Sequence, residues 1–170
     1  MDADRLLHLA RRTIDDTRAT GLAITVDRNG DANARTVNTS KPNDDWTLHF
    51  MTDRRTRKIG EIERSDRMTM VYDDPSGGSY VSLVGSARII SDPVLKQAIW
   101  QPHSLSWPAG GPTDPNAVVV EFTAERIETW NTPEGVVPDP RNGLWAAVLV
   151  RDGSGWRYAG STQDEPFNPR

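Results

Sequence analysis

Apolar residues come along this chain in short bursts between polar turns, and each burst has its own period. Leu6, Leu7, Leu9, Ala10, Thr13, Ile14 and Thr17 recur at helical spacing, with Asp2 or Asp4 as the cap and Gly21 as the stop. Two β-rich runs follow, over 22–26 and 32–38, and the Asn29-Gly30 pair between them is the strongest short hairpin signal. Trp46, Leu48 and Phe50 alternate with Thr47, His49 and Met51, the pattern of a half-buried strand. A helix is predicted over 55–64, with Ile59 and Ile62 on one face. Met68, Met70 and Tyr72 alternate again before a turn-rich stretch at 73–78.

A long strand is predicted over 80–90, where Gly85 marks a bulge or a close backbone approach. Ser91-Asp92-Pro93 then opens a helix ending near Trp100, because proline suits the first helical position. A Pro/Gly-rich loop at 101–116 is long enough to be a lid or binding loop. Another strand is expected over 117–130, and a loop over 131–143 follows it. The runs 144–150 and 156–159 pair across Asp152-Gly153-Ser154-Gly155, and the tail from Ser161 is polar. Short hairpin links argue against a parallel βαβ sheet. The order predicts an α+β fold, a small antiparallel barrel or sandwich with helices packed outside.

Composition narrows the function classes. With 170 residues the chain is sized for one ordinary domain. It has no cysteine, so disulfides, thiolate metal sites and cysteine nucleophiles are excluded. The N-terminus lacks the pattern of a secretory signal, and no window approaches a membrane span; the expected location is the cytoplasm. A formal charge of -4 argues against attraction of the whole protein to nucleic acid. His8, His49 and His103 are isolated and lack metal-ligand spacing, so no metal site is expected. No Gly-x-Ser-x-Gly or Gly-rich phosphate loop is present, and no catalytic side chain can be named.

The most informative segment runs from Phe50 to Lys58, where a strand meets a helix start and four of the five residues 54–58 are cationic. Cations at a helix N-terminus oppose its dipole, whereas an anion there would meet both the side chains and the unpaired backbone N–H groups. Two readings stand on charge alone. One is a phosphate site; the other is a solvated helix start neutralised by Glu61, Glu63 and Asp66. Arg35 in its strand either reaches a ligand or points outward. The six tryptophans, Trp100, Trp107 and Trp130 among them, can stack on a planar ligand or serve as core and interface anchors.

Thr52-x-x-x-Thr56-Arg57-Lys58, with Arg35-Thr36-Val37 upstream and Tyr80 to Arg88 downstream, resembles the pyridoxamine 5′-phosphate oxidase superfamily of FMN-binding split barrels. Ser91-Asp92-Pro93, Trp100, Trp107 to Gly111 and Glu128-Thr129-Trp130-Asn131 resemble its general stress protein branch. The resemblance covers about residues 5–131 and implies an antiparallel split β-barrel with peripheral helices over 1–131. Residues 132–170 would form an extension whose hairpin packs on the same domain.

The resemblance implies that Arg57 and Lys58, helped by Thr56, hold the flavin phosphate, and that Arg35 reaches the phosphate or ribityl end. Thr36 and Val37 would flank the ring system, and Thr52 would donate or accept a hydrogen bond near it. It further implies a homodimer with the flavin at the interface, where Tyr80, Ser82, Trp100 and Trp107 act from the second subunit. FMN is the implied cofactor, with FAD and deazaflavin F420 as alternatives, and the partner is a small-molecule substrate or electron donor. The true oxidases carry an Arg-x-His near the C-terminus; this chain has no histidine after His103, so pyridoxamine phosphate is a poor substrate expectation. Two functions remain open: a flavin-dependent oxidoreductase, or a flavin-binding stress or sensing protein without turnover.

Overall fold

A computed structural model describes residues 2–100, 110–136 and 146–161. Helix α1 (Ala3–Asp16) begins at Asp2, whose carboxylate accepts from the Asp4 N–H at 3.2 Å. It ends at Asp16, earlier than expected, because Arg18 and Ala19 turn the chain through left-handed backbone at φ 55° and 53°. Gly21 therefore sits inside strand β1 (Thr20–Val26). A Cβ there would lie 2.8 Å from the Tyr72 ring, so the glycine serves packing rather than helix termination.

Strand β1 forms a hairpin with β2 (Ala32–Asn38) through the Asn-Gly turn. The Asp27 carboxylate accepts from the Asn29 and Asp31 N–H groups, and Gly30 takes φ 89°. Strand β3 (Thr47–Asp53) starts after Trp46, which is itself left-handed at φ 55°. Helix α2 (Arg57–Arg64), strand β4 (Arg67–Asp74), strand β5 (Ser79–Ile90) and helix α3 (Pro93–Ile99) follow. Asp92 caps α3, accepting from the Val94 and Leu95 N–H groups. A 3-10 turn at Gly111–Thr113 leads to β6 (Ala117–Asn131), and β7 (Ala147–Asp152) and β8 (Gly155–Ser161) close the chain as a hairpin.

All eight strands join one antiparallel sheet in the order β2-β1-β4-β5-β6-β7-β8, with β3 also on β6. The 15-residue β6 makes this possible. One edge pairs with β5 along residues 119–131, while the other receives β3 along residues 117–123 and β7 along 126–129. That shared edge splits the barrel. Gly85 lies at the register shift between β5 and β6, and a Cβ there would fall 2.0 Å from the Thr123 carbonyl oxygen. The fold is thus α+β and antiparallel, as the element order predicts, and of its two expected forms it takes the split barrel that the resemblance implies.

The core lies on the inner face of the sheet, where Leu48, Phe50, Met70, Leu83, Phe122 and Ile127 form one buried cluster with Leu6 and Ile14 of α1. The final hairpin is tied across the split. Trp156 meets the buried Trp46 edge-on, with ring centroids 6.0 Å apart. Arg11 and Arg151 lie over the Trp46 and Trp156 rings at 4.6 and 4.7 Å. Arg151 also donates to the Asp45 and Ala124 carbonyls. Trp107, His103 and the polar tail beyond 161 lie outside the described residues.

Candidate functional site

The basic run divides according to what each side chain meets. Asp53, at the end of β3, organises the turn: its carboxylate accepts from the Arg55 N–H at 2.8 Å, and its carbonyl accepts from the Thr56 hydroxyl at 2.7 Å. Arg55 folds back onto Asp53 in a two-pronged ion pair, with contacts of 2.6 and 3.0 Å. The hydrogen bonds from Arg55 hold the Asp53 carboxyl down at about 2. Arg54 donates to the Ser91 hydroxyl and, through its backbone, to Asn116. These two arginines are engaged in holding the turn, which delays the start of α2 from the expected residue 55 to Arg57.

The other two cations face a different neighbourhood. The Lys58 ammonium donates to the hydroxyls of Thr52 at 2.8 Å and Thr56 at 3.1 Å. Burial, and then the nearby charge of Arg35, push its pKa below the ordinary lysine value. Thr56, the N-cap of α2, makes no side-chain bond to the helix N–H groups, because its hydroxyl is turned to Asp53 and Lys58. Arg57 reaches Glu61 one turn on, Nε to Oε1 at 3.1 Å.

Arg35 comes from the distant strand β2. Its guanidinium donates to the Thr25 hydroxyl at 2.6 Å, to the Ala23 carbonyl at 3.4 Å and to Glu61 Oε2 at 3.0 Å. Glu61, which the sequence reading places among surface counter-charges, is a buried carboxylate only 3% exposed. Thr25 and Asn33 also donate to it. Burial pushes the Glu61 carboxyl up, but the hydrogen bonds from Thr25 and Arg35 and the charges of Arg35 and Arg57 outweigh it and hold the group below its ordinary value. Only the four-residue spacing from Arg57 hinted at this role. Glu63, on the solvated face of α2, and Asp66, in the link to β4, are exposed.

Arg35 and Arg57 therefore meet at Glu61, while Lys58, held by Thr52 and Thr56, lies close enough to feel the charge of Arg35, which brings these five residues into one neighbourhood at the start of α2. Arg35, Arg57 and Lys58 against Glu61 leave two positive charges there, since Asp53, the other carboxylate acting on Lys58, is paired with Arg55. A phosphate monoester carries about -1.5 to -2 at neutral pH and presents three strong acceptor oxygens, so the donor set fits it in charge and in chemistry.

Among the described residues, Thr36, Tyr80, Ser82 and Trp100 lie away from this cluster, and Val37 is beside it. Strand β2 alternates, so Val37 shares the inner face with Arg35, whereas Thr36 is exposed on the opposite face. Tyr80 and Ser82 lie on the outer face of β5, between their core-facing neighbours Val81 and Leu83. Tyr80 stacks on Trp130 with centroids 6.2 Å apart. Trp100 caps α3, and a Cβ on Gly111 would meet its ring at 3.4 Å, so it packs toward the 3-10 turn. Trp107 lies outside the described residues. His49 is not isolated in the fold: its Nε2 is 3.1 Å from Glu121 Oε2, and Glu121 also binds Arg88.

Comparison with known proteins gives a consistent picture. A family model described as pyridoxamine 5′-phosphate oxidase like matches residues 8–148. Over 94 residues the chain is 33% identical to General stress protein 26 of Bacillus subtilis (strain 168), covering 54% of this chain. The matched part is 66% of that relative, just under two thirds of its length. The crystal structure of General Stress Protein 26 from Bacillus anthracis str. Sterne matches with TM-score 0.61 and 26% identity, over 72% of this chain and 93% of the other. A general stress FMN/FAD binding protein from Xanthomonas citri shares the fold with TM-score 0.64 at 20% identity, over 76% and 90% of the two chains.

Proposed function

The chain belongs to the pyridoxamine 5′-phosphate oxidase-like family, and from that premise we propose that it binds FMN by its phosphate at Arg35, Arg57 and Lys58, with Thr52 and Thr56 assisting. The observation that carries this reading is the half-buried cluster in which three cations, from β2 and α2, outnumber one carboxylate. A compact cluster with two surplus charges suits a terminal monoester, which favours FMN over FAD or F420. The family's solved relative described as an FMN/FAD binding protein supports a flavin.

Bound flavin would supply the electron-transfer chemistry, and the protein its placement and electrostatics. Arg35 and Lys58 would anchor one end of the cofactor, while Val37 offers apolar surface beside Arg35. The function proposed is an FMN-dependent oxidoreductase acting on a small molecule.

The flavin ring would lie at the interface of a homodimer. Outer-face residues support this: Leu22 and Val26 of β1 are 41% and 43% exposed, and the stacked Tyr80 and Trp130 flank the same face. Thr36 and Ser82 on that face would then meet the ring from the two subunits.

A flavin-binding stress or sensing protein without turnover is the second reading, favoured by relatives named general stress proteins. The test is an absorption spectrum of the purified protein, mass spectrometry of the released chromophore, and reduction by NADH or NADPH followed by reoxidation. FMN near one per subunit with turnover is the expected result. FMN without turnover across donors selects the second reading. A colourless protein that does not bind added FMN overturns both.

A further inference from the structure

Charged residues are almost never fully buried unless paired, because leaving water costs them their hydration. Glu61 has a side chain only 2% exposed and is fully engaged by four donors. Its Oε2 accepts from Thr25 and from Arg35 at 3.0 Å; its Oε1 accepts from Asn33 at 3.0 Å and from Arg57 at 3.1 Å. Each carboxylate oxygen thus holds one guanidinium, one from strand β2 and one from helix α2. Arg57 meets it through Nε while 67% of that side chain stays exposed, which leaves the rest of its fork to a ligand.

We propose that Glu61 is a positioning residue of the anion site: its carboxylate presets the guanidinium groups of Arg35 and Arg57 for a phosphate monoester. The inference rests on the phosphate reading above. Two effects oppose one another at this residue. As a bare charge, Glu61 repels an arriving dianion, so neutralising it should tighten binding. As an anchor, it supplies the charged tether that, with Thr25 and the Ala23 carbonyl, keeps Arg35, beside the like-charged Lys58, from swinging away to water. The anchor wins because the geometry is made by direct charge-assisted hydrogen bonds, whereas the repulsion is offset by the three cations around the carboxylate.

The two effects predict opposite signs, and flavin-free protein titrated with FMN and with riboflavin separates them. Riboflavin carries the same ring and no phosphate. Glu61→Gln is expected to weaken FMN binding about tenfold while riboflavin affinity stays within about twofold. Asn33→Ala, on edge strand β2, removes one donor to Glu61 and should shift FMN affinity the same way by about threefold. Tighter FMN binding by Glu61→Gln, or equal loss for both flavins, overturns the proposal. Should Glu61→Gln not fold by circular dichroism, an unchanged FMN preference in folded Asn33→Ala overturns it instead. Wild-type protein that binds riboflavin as well as FMN refutes the phosphate reading itself, and Glu61's role falls with it.

Discussion

Replacing Lys58 with methionine keeps the aliphatic stem and removes the ammonium, which isolates one charge of the site. In the flavin-free protein the ammonium donates to two neutral hydroxyls, on Thr52 and Thr56. Losing them costs roughly 1.5–3 kcal/mol each, because the donor is charged, but the burial that holds the Lys58 pKa down shows that the ammonium also carries a desolvation cost that the substitution removes. Relief of the like charge of Arg35 offsets part of that, so the fold should tolerate the change. Binding responds differently. A hydrogen bond to a charged partner contributes about 1.5–3 kcal/mol net. The bare Coulomb term, ~4 kcal/mol at 4 Å and an effective dielectric of 20, sets the ceiling before desolvation is subtracted. At about 1.4 kcal/mol per decade, FMN affinity should fall roughly 10- to 150-fold. Fluorescence quenching of FMN and of riboflavin, titrated into wild-type and Lys58→Met protein, measures it. Riboflavin, lacking phosphate, should be affected by no more than about twofold. Unchanged FMN affinity, or equal weakening of both flavins, would refute the assignment of Lys58 to the phosphate.

Three other outcomes are expected. Leu22→Glu places a charge on the exposed outer face and should shift sedimentation from dimer toward monomer, with weaker FMN binding; a wild-type monomer that binds flavin tightly would refute the interface reading. The Glu61 carboxyl is held below its ordinary 4.5, so the stability it contributes is present above that pH and is lost as pH falls through the lower folded value. Melting temperature should therefore drop more steeply below pH 4.5 in wild type than in Glu61→Gln, and parallel curves would contradict the network described around Arg35 and Arg57. Gly85→Ala forces a Cβ to 2.0 Å from the Thr123 carbonyl. Such crowding costs about 1–3 kcal/mol, or roughly 2–12 °C of melting temperature for a chain this size; an unchanged melt would rule out the bulge.

The sequence by itself determined what depends on neighbours a few residues apart. Asn29-Gly30 specified its hairpin because Gly30 needs positive φ and Asp27 can satisfy the turn's own N–H groups. Asp92-Pro93 specified the start of α3 by capping chemistry, and alternation at Leu48, Phe50, Met68, Met70 and Tyr72 identified the buried face of their strands. The helix stop was misplaced because Gly21 looks like a terminator in sequence, while its reason lies in Tyr72, far along the chain.

The site shows the same division. Residues 54–58 announce positive charge, and charge alone does not rank the four cations; only the resemblance of the Thr56-Arg57-Lys58 run singles out the last two. Tertiary structure separates them: Ser91 and Asp53 take Arg54 and Arg55, while Arg57 and Lys58 join Arg35. Glu61 shows the limit most clearly. Its pairing with Arg57 one helical turn away is written in the spacing, but its burial against Arg35, 26 residues upstream, is not. Turn and cap chemistry act over one or two residues of backbone, so sequence carries them directly. A charge's worth depends on the dielectric and the partners around it, and those exist only once β1, β2 and α2 have packed together.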